Sequence, residues 1–147
     1  MMKKLLLTIV FFLIGLILMN KVVNAPTVRC IYMNNTAVAI YPYIRIMHAV
    51  NMAEAQTDKV HFDTLAYNPK ERAVGAFQIR PARLKDYNRQ TGHNYRMEDL
   101  FDYNISKEIF LFYAYQIGWR NPQRIARKWN GSGPKTLVYW KKVKKWL

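Results

Sequence analysis

The feature that most limits what this chain can fold into stands at its start. Lys3 and Lys4 lead directly into Leu5–Met19, fifteen residues without a charge. A positive segment followed by an apolar run of this size has the form of an export signal. Val23-Asn24-Ala25 offers small residues near a cleavage point, although Pro26 directly after Ala25 disfavours the peptidase. As a helix the run spans only ~22 Å, against a ~30 Å hydrocarbon core. Extension through Asn20–Val23, with Lys21 snorkelling to the interface, would let it remain as an anchor. Residues 1–25 are therefore expected to be a signal peptide or N-terminal membrane anchor, with membrane contact through residues 5–19. The rest is expected outside the cytoplasm, in the periplasm or cell envelope, secreted or anchored.

The chain beyond the leader is long enough to bury a core, and 51% hydrophobic residues exclude a disordered chain. The single cysteine, Cys30, rules out an internal disulfide. Thr27-Val28-Arg29 ahead of it do not form a lipoprotein cleavage box, so Cys30 reads as an incidental thiol. Against 9 Asp and Glu stand 23 Lys and Arg, a formal charge of +14. Such a charge favours an anionic partner: nucleic acid, anionic lipid or bacterial wall. A basic nucleic-acid-binding module is the reading that charge and 14% aromatics would support. The export segment argues against it, and no nucleic acid is expected as a partner.

Residues 26–42 read as a linker with a short extended piece near Ala37–Ile40, and residues 43–147 as one helical domain. Pro42 precedes a helix reaching about Thr57. Asn68-Pro69 marks a turn, and Ala73–Ile79 is short and apolar, as in one arm of a small hairpin. Pro81 opens a helix that Gly92 closes. A short helix comes next at Met97–Phe101 and a longer one at Ser106–Ile117. Asn121-Pro122 caps a helix ending near Trp129, Asn130–Pro134 turns, and Thr136–Trp146 is the last helix. The fold class is mainly α (α+β), with a small β-hairpin.

One carboxylate sits on the wrong face of a helix. Tyr43, Met47, Val50 and Glu54 are spaced by four, three and four residues, which puts them on one stripe. Three are large and hydrophobic, so the stripe faces the core and Glu54 ends a buried face. Low dielectric would raise its pKa, and a carboxyl kept protonated near neutral pH can act as a general acid. A half-exposed Glu paired with a Lys or Arg is the other reading, and periodicity by itself favours it.

Three further segments bear on the choice. Gly75-Ala76-Phe77-Gln78-Ile79 comes after a polar loop, Ala126-Arg127-Lys128-Trp129-Asn130-Gly131 ends a helix in a flexible turn, and Thr136–Val143 supplies Tyr139. In this order the segments resemble the lytic transglycosylase (SLT) and goose-type lysozyme family. Its pattern is a Glu-bearing helix, a Gly-Leu-Met-Gln-like turn, an Ala-x-x-Tyr-Asn-x-Gly-like turn and a late Tyr. Glu54, then Gly75 and Gln78, then Trp129, Asn130 and Gly131, then Tyr139 match these elements. The stretch Ala66–Gly75 is similar to the loop before the family's first turn. Ala55 stands where the family usually has Ser, Phe77 where it has Met, and Trp129 where it has Tyr.

The resemblance implies a lysozyme-like helical domain that cleaves the β-1,4 bond between N-acetylmuramic acid and N-acetylglucosamine in peptidoglycan. Glu54 would be its general acid and base, and no cofactor would be needed. Gln78, Asn130, Tyr139, Gly75 and Trp129 would form the substrate site. A lytic transglycosylase leaves a 1,6-anhydro product; a muramidase of the lysozyme or endolysin kind adds water to the same bond. A non-catalytic wall-binding protein is a third reading, supported only by Ala55. Glu71 is the best candidate for a second carboxylate, although it and the neighbouring Asp58 and Asp63 read first as solvated loop charges. His48, His61 and His93 lack metal-ligand spacing, so no metal is expected. Lys141, Lys142, Lys144 and Lys145, with Trp140 and Trp146, make either an amphipathic helix with tryptophans packed inward or an adhesive surface. A monomer acting on glycan strands is the expected state.

Overall fold

Proline and glycine punctuation places the helices close to where the spacing predicts. The computed structural model describes the backbone of residues 30–33 and 36–147, and side chains from residue 39 onward. The export segment expected at 1–25, its membrane contact through 5–19 and the Cys30 side chain lie outside the described residues. No helix among the described residues is long and apolar enough to cross a membrane.

The described chain is mainly helical, with two small antiparallel pairs. Strands β1 (Cys30–Met33) and β2 (Thr36–Ala39) pair with Cys30 opposite Ala39. They fall inside the stretch read as a linker: β2 lies at the extended piece expected near Ala37–Ile40, and β1 is a strand too short for alternation to register. A 3-10 turn at Tyr41–Tyr43 carries Pro42 and runs into α1 (Ile44–Ala55). Strands β3 (Tyr67–Asn68) and β4 (Ala73–Val74) form the hairpin. Then come α2 (Pro81–Thr91), a 3-10 turn at Glu98–Phe101, α3 (Tyr103–Ile117), α4 (Pro122–Asn130) and α5 (Lys135–Lys144).

Each boundary has a local cause. The N–H of Gly92 bonds Asn88 O at φ +78°, a left-handed closure that glycine adopts without a Cβ clash. The Asp102 carboxylate accepts from Asn104 N at 2.7 Å and starts α3, three residues ahead of the expected Ser106. Asn121 accepts from Arg124 N at 3.1 Å, with Pro122 at the first position of α4.

Helix α1 is buried far more completely than one stripe implies. Ile46, Met47, Ala49, Val50, Asn51, Met52, Ala53 and Ala55 are all buried. Ile44, Arg45 and His48 form its exposed side, and the rest of α1 packs inward, against both α4 and α5. Full burial of each Val, Ile or Met contributes about 1.5–3 kcal/mol. Trp140 and Trp146 pack against the core from the last helix and the residues after it. Beyond α1, the Asp58 carboxylate braces the loop by accepting from Val60 N at 2.8 Å and His61 N at 2.9 Å and by pairing with His61 Nδ1. These donors hold its pKa down to about 2.

Candidate functional site

The hairpin does more than pair β3 with β4. Directly after Val74 the chain reverses, and Val74 and Ile79 exchange both backbone bonds, at 3.0 and 2.9 Å. Gly75, Ala76, Phe77 and Gln78 are thereby squeezed into a closed loop. Gly75 sits at φ +75°, and a Cβ there would lie 2.5 Å from Leu100 O. Gln78 also has a positive φ, +48°. A non-glycine residue in that region is uncommon and must be held there. Its Nε2 donates to Gly75 O at 3.0 Å and Ala66 O at 3.2 Å. The amide donor is thus spent on the turn, and the Gln78 carbonyl oxygen is left to accept from a ligand.

Glu54 stands in the last turn of α1, half-buried among buried neighbours. Burial pushes its carboxyl pKa up, while the Tyr139 hydroxyl, Lys142 and Arg80 pull it back and Glu71 adds a smaller upward push. Tyr139, on α5, is buried, and its hydroxyl has no hydrogen-bond partner within normal geometry. It nevertheless lies close enough to Glu54 that each perturbs the other, and the Tyr139 pKa is raised by burial and by that carboxylate. The pair is a carboxyl inclined to keep its proton beside a hydroxyl ready to donate.

Glu54 opens onto a groove of about 310 Å³ together with Gln78, Trp129, Asn130 and Gly131. Residues from three of the segments singled out in the sequence therefore share one wall. Gly75 and Tyr139 do not line it: Gly75 shapes the turn, and Tyr139 stands behind Glu54. Trp129 is buried, and its indole N–H donates to Phe77 O at 3.1 Å, joining α4 to the turn. Glu71 is half-exposed and lies off the groove, ion-paired to Arg80 Nη2 at 2.6 Å. His48, His61 and His93 are scattered, and among the described residues no three His, Cys, Asp or Glu gather as a metal site.

Arg80, Arg83, Asp86 and Tyr113 line the same groove and were not picked out in the sequence. The i, i+3 spacing of Arg83 and Asp86 just past Pro81 is the signal that one helical face carries both. The Arg83 guanidinium lies 4.4 Å from the Trp129 ring centre and 4.8 Å from that of Tyr113. Its Nη2 donates to Trp129 O at 2.8 Å and Lys128 O at 3.2 Å, closing the end of α4. Asp86 accepts from Tyr113 Oη at 2.8 Å, Gln90 Nε2 at 2.7 Å and Arg89 Nη2 at 2.6 Å. These donors, Tyr113 first, lower its pKa. One groove thus holds a carboxyl shifted up and a carboxylate shifted down, the divergence by which enzymes separate acid from spectator roles.

No protein-family model, curated protein or solved structure matches this chain.

Two outcomes are expected, one at the groove and one behind Glu54. Arg83→Ala removes two aromatic contacts and two carbonyl bonds, and is expected to cost about 2–3 kcal/mol in urea denaturation. Arg83→Lys keeps the charge but loses the fork, and should recover less than half of that. Tyr139→Phe removes a group that lowers the Glu54 pKa. Whatever reaction needs protonated Glu54 falls off as pH rises through that pKa. The alkaline limb of the rate profile is therefore expected to move to higher pH in Tyr139→Phe. A hydroxyl that only supported the fold would leave the limb in place.

Proposed function

We propose that this chain is a peptidoglycan lytic transglycosylase with a lysozyme-like domain, with Glu54 as general acid and then general base. The observation that carries the reading is the site of Glu54: desolvated, beside the Tyr139 hydroxyl, on a groove wall with Gln78 and Asn130. A protonated Glu54 gives its proton to the oxygen between N-acetylmuramic acid and N-acetylglucosamine. The bond breaks toward an oxocarbenium-like centre on the muramoyl sugar. The carboxylate left behind takes the proton of the muramoyl 6-hydroxyl, whose oxygen closes the 1,6-anhydro ring. No water is added, and Glu54 ends protonated as it began.

The other carboxylates favour this outcome over hydrolysis. A hydrolase of the inverting kind uses a second carboxylate to activate water. Asp86 accepts three donors and has a lowered pKa, which makes it a weak base. Glu71 is committed to Arg80 and stands off the groove. Within the groove, the Gln78 carbonyl is suited to accept the N–H of an N-acetyl group and Asn130 to bond its carbonyl. Positioning of this kind can supply much of a rate.

The test is mass spectrometry of purified sacculi incubated with the full chain in detergent. Muropeptides ending in the 1,6-anhydro form are expected. Reducing ends carrying oxygen from water would replace the reading by a muramidase. Undigested glycan would leave a wall-binding protein.

A further inference from the structure

A larger groove, of about 490 Å³, lies next to the one at Glu54 and shares Gly131 with it. One side is the face of α4 that carries Arg124, Arg127 and Lys128; the other is the turn from Gly131 to Gly133 and the first residues of α5. No carboxylate lines it, and among the described residues no ion pair engages any of the three cations. Arg127 is not a loose surface charge. Its Nε donates to Thr136 Oγ1 at 3.0 Å, and the buried Thr136 hydroxyl donates onward to Gly133 O at 2.7 Å. One edge of the guanidinium is thereby fixed by the fold, leaving the terminal nitrogens for a planar anion.

We propose that this groove is a second binding site, which takes the carboxylates of the peptide stems attached to the glycan strand. The proposal rests on the reading that the Glu54 groove holds glycan. The amino sugars of a strand carry hydroxyls and amides that three cations do not need. The anionic parts of the polymer are the carboxylates of the peptides that branch from the muramoyl lactyl ether. Those peptides leave the strand at the sugar being cleaved, so a strand seated at Glu54 projects one beside the scissile bond. Gly131, common to the two grooves, provides a passage without a side chain. The site would make the chain prefer strands that still carry peptides.

The double variant Arg124→Glu/Lys128→Glu changes two exposed side chains and leaves Arg127 on Thr136. The full chain and this variant, both in detergent, are compared for binding to sacculi freed of wall phosphate by hydrofluoric acid and to the same glycan stripped of peptides by an amidase, its freed lactyl carboxylates then converted to methyl amides. The native chain is expected to bind the peptide-bearing form at least about fivefold more tightly, the size that two partly screened ion pairs can supply. Added salt should erase the difference. The variant is expected to bind both forms as the native chain binds stripped glycan. A native chain that binds both forms equally, or a variant that keeps the preference, overturns the peptide site and leaves the transglycosylase reading standing. A native chain that binds neither form overturns both.

Discussion

Glu54→Gln is expected to lower glycan cleavage by at least about a thousandfold, since the proposed mechanism uses the same group as acid and then as base and each role contributes ~10²–10⁴. The amide keeps the shape and the neighbours of the carboxyl, so loss of activity reports chemistry rather than folding. The same substitution should also stabilise the protein at neutral and alkaline pH. Burial holds the Glu54 pKa above its ordinary value, so the folded state binds the proton more tightly than the unfolded chain does. Stability tied to this group is full below its unfolded pKa and is lost as pH rises through the folded one. Glutamine never ionises and avoids the loss. A variant that is dead and yet melts higher, with the gap widening from acid to alkaline pH, is the expected result in thermal denaturation paired with the muropeptide assay. A variant that is dead and less stable would mean Glu54 holds the fold instead, and full activity would remove it from the chemistry.

Gly75→Ala is expected to be the most damaging single methyl in the molecule, at about 3–5 kcal/mol. The added carbon would sit 2.5 Å from the Leu100 carbonyl oxygen and 3.0 Å from Ser106 Oγ. Neither can retreat cheaply, because Ser106 Oγ already donates to Leu100 O at 2.6 Å in a buried site. The φ of +75° adds backbone strain that a side chain would feel even in open space. Gly92 gives the control: it has nearly the same φ, with nothing within 4 Å of a Cβ. Gly92→Ala should cost only about 1 kcal/mol. Equal costs in chemical denaturation would mean that the contact with Leu100 is not the cause.

Legibility from sequence tracked the range of the interactions. Pro81, Gly92, Asn121 and Pro122 act within a turn of where they stand, and the helices they bound were readable from them. The stripe that ends in Glu54 was readable because helical spacing is local, whereas the approach of Tyr139 and Lys142 to that carboxyl was not. What escaped depended on contacts distant in the chain. The Trp129 indole bonds a carbonyl 52 residues away, and Tyr113 reaches Asp86 across 27. Arg80, Arg83, Asp86 and Tyr113 look like ordinary helix-surface residues until α2 and α3 meet around the groove. The donors of Gln78 were likewise invisible, since a side-chain amide in a sequence does not reveal which half is already taken. Strand β2 matches the extended piece expected near Ala37–Ile40, while its partner β1 escaped because a four-residue strand is too short to show a period.

The burial of eight of the twelve residues of α1 sets where this protein can drift. Ala49, Ala53 and Ala55 are small because neighbouring elements press against them, and enlarging a packed position typically costs about 1–3 kcal/mol. The buried positions of the helix that carries Glu54 therefore tolerate few substitutions, while Ile44, Arg45 and His48 on its exposed side are freer to vary. Arg124, Lys128 and Ser132 are exposed and can be exchanged at little cost to folding. Under random mutagenesis with selection for folding alone, the buried positions on either side of Glu54 should stay frozen, while Glu54 itself and the exposed Arg124 and Lys128 are free to change.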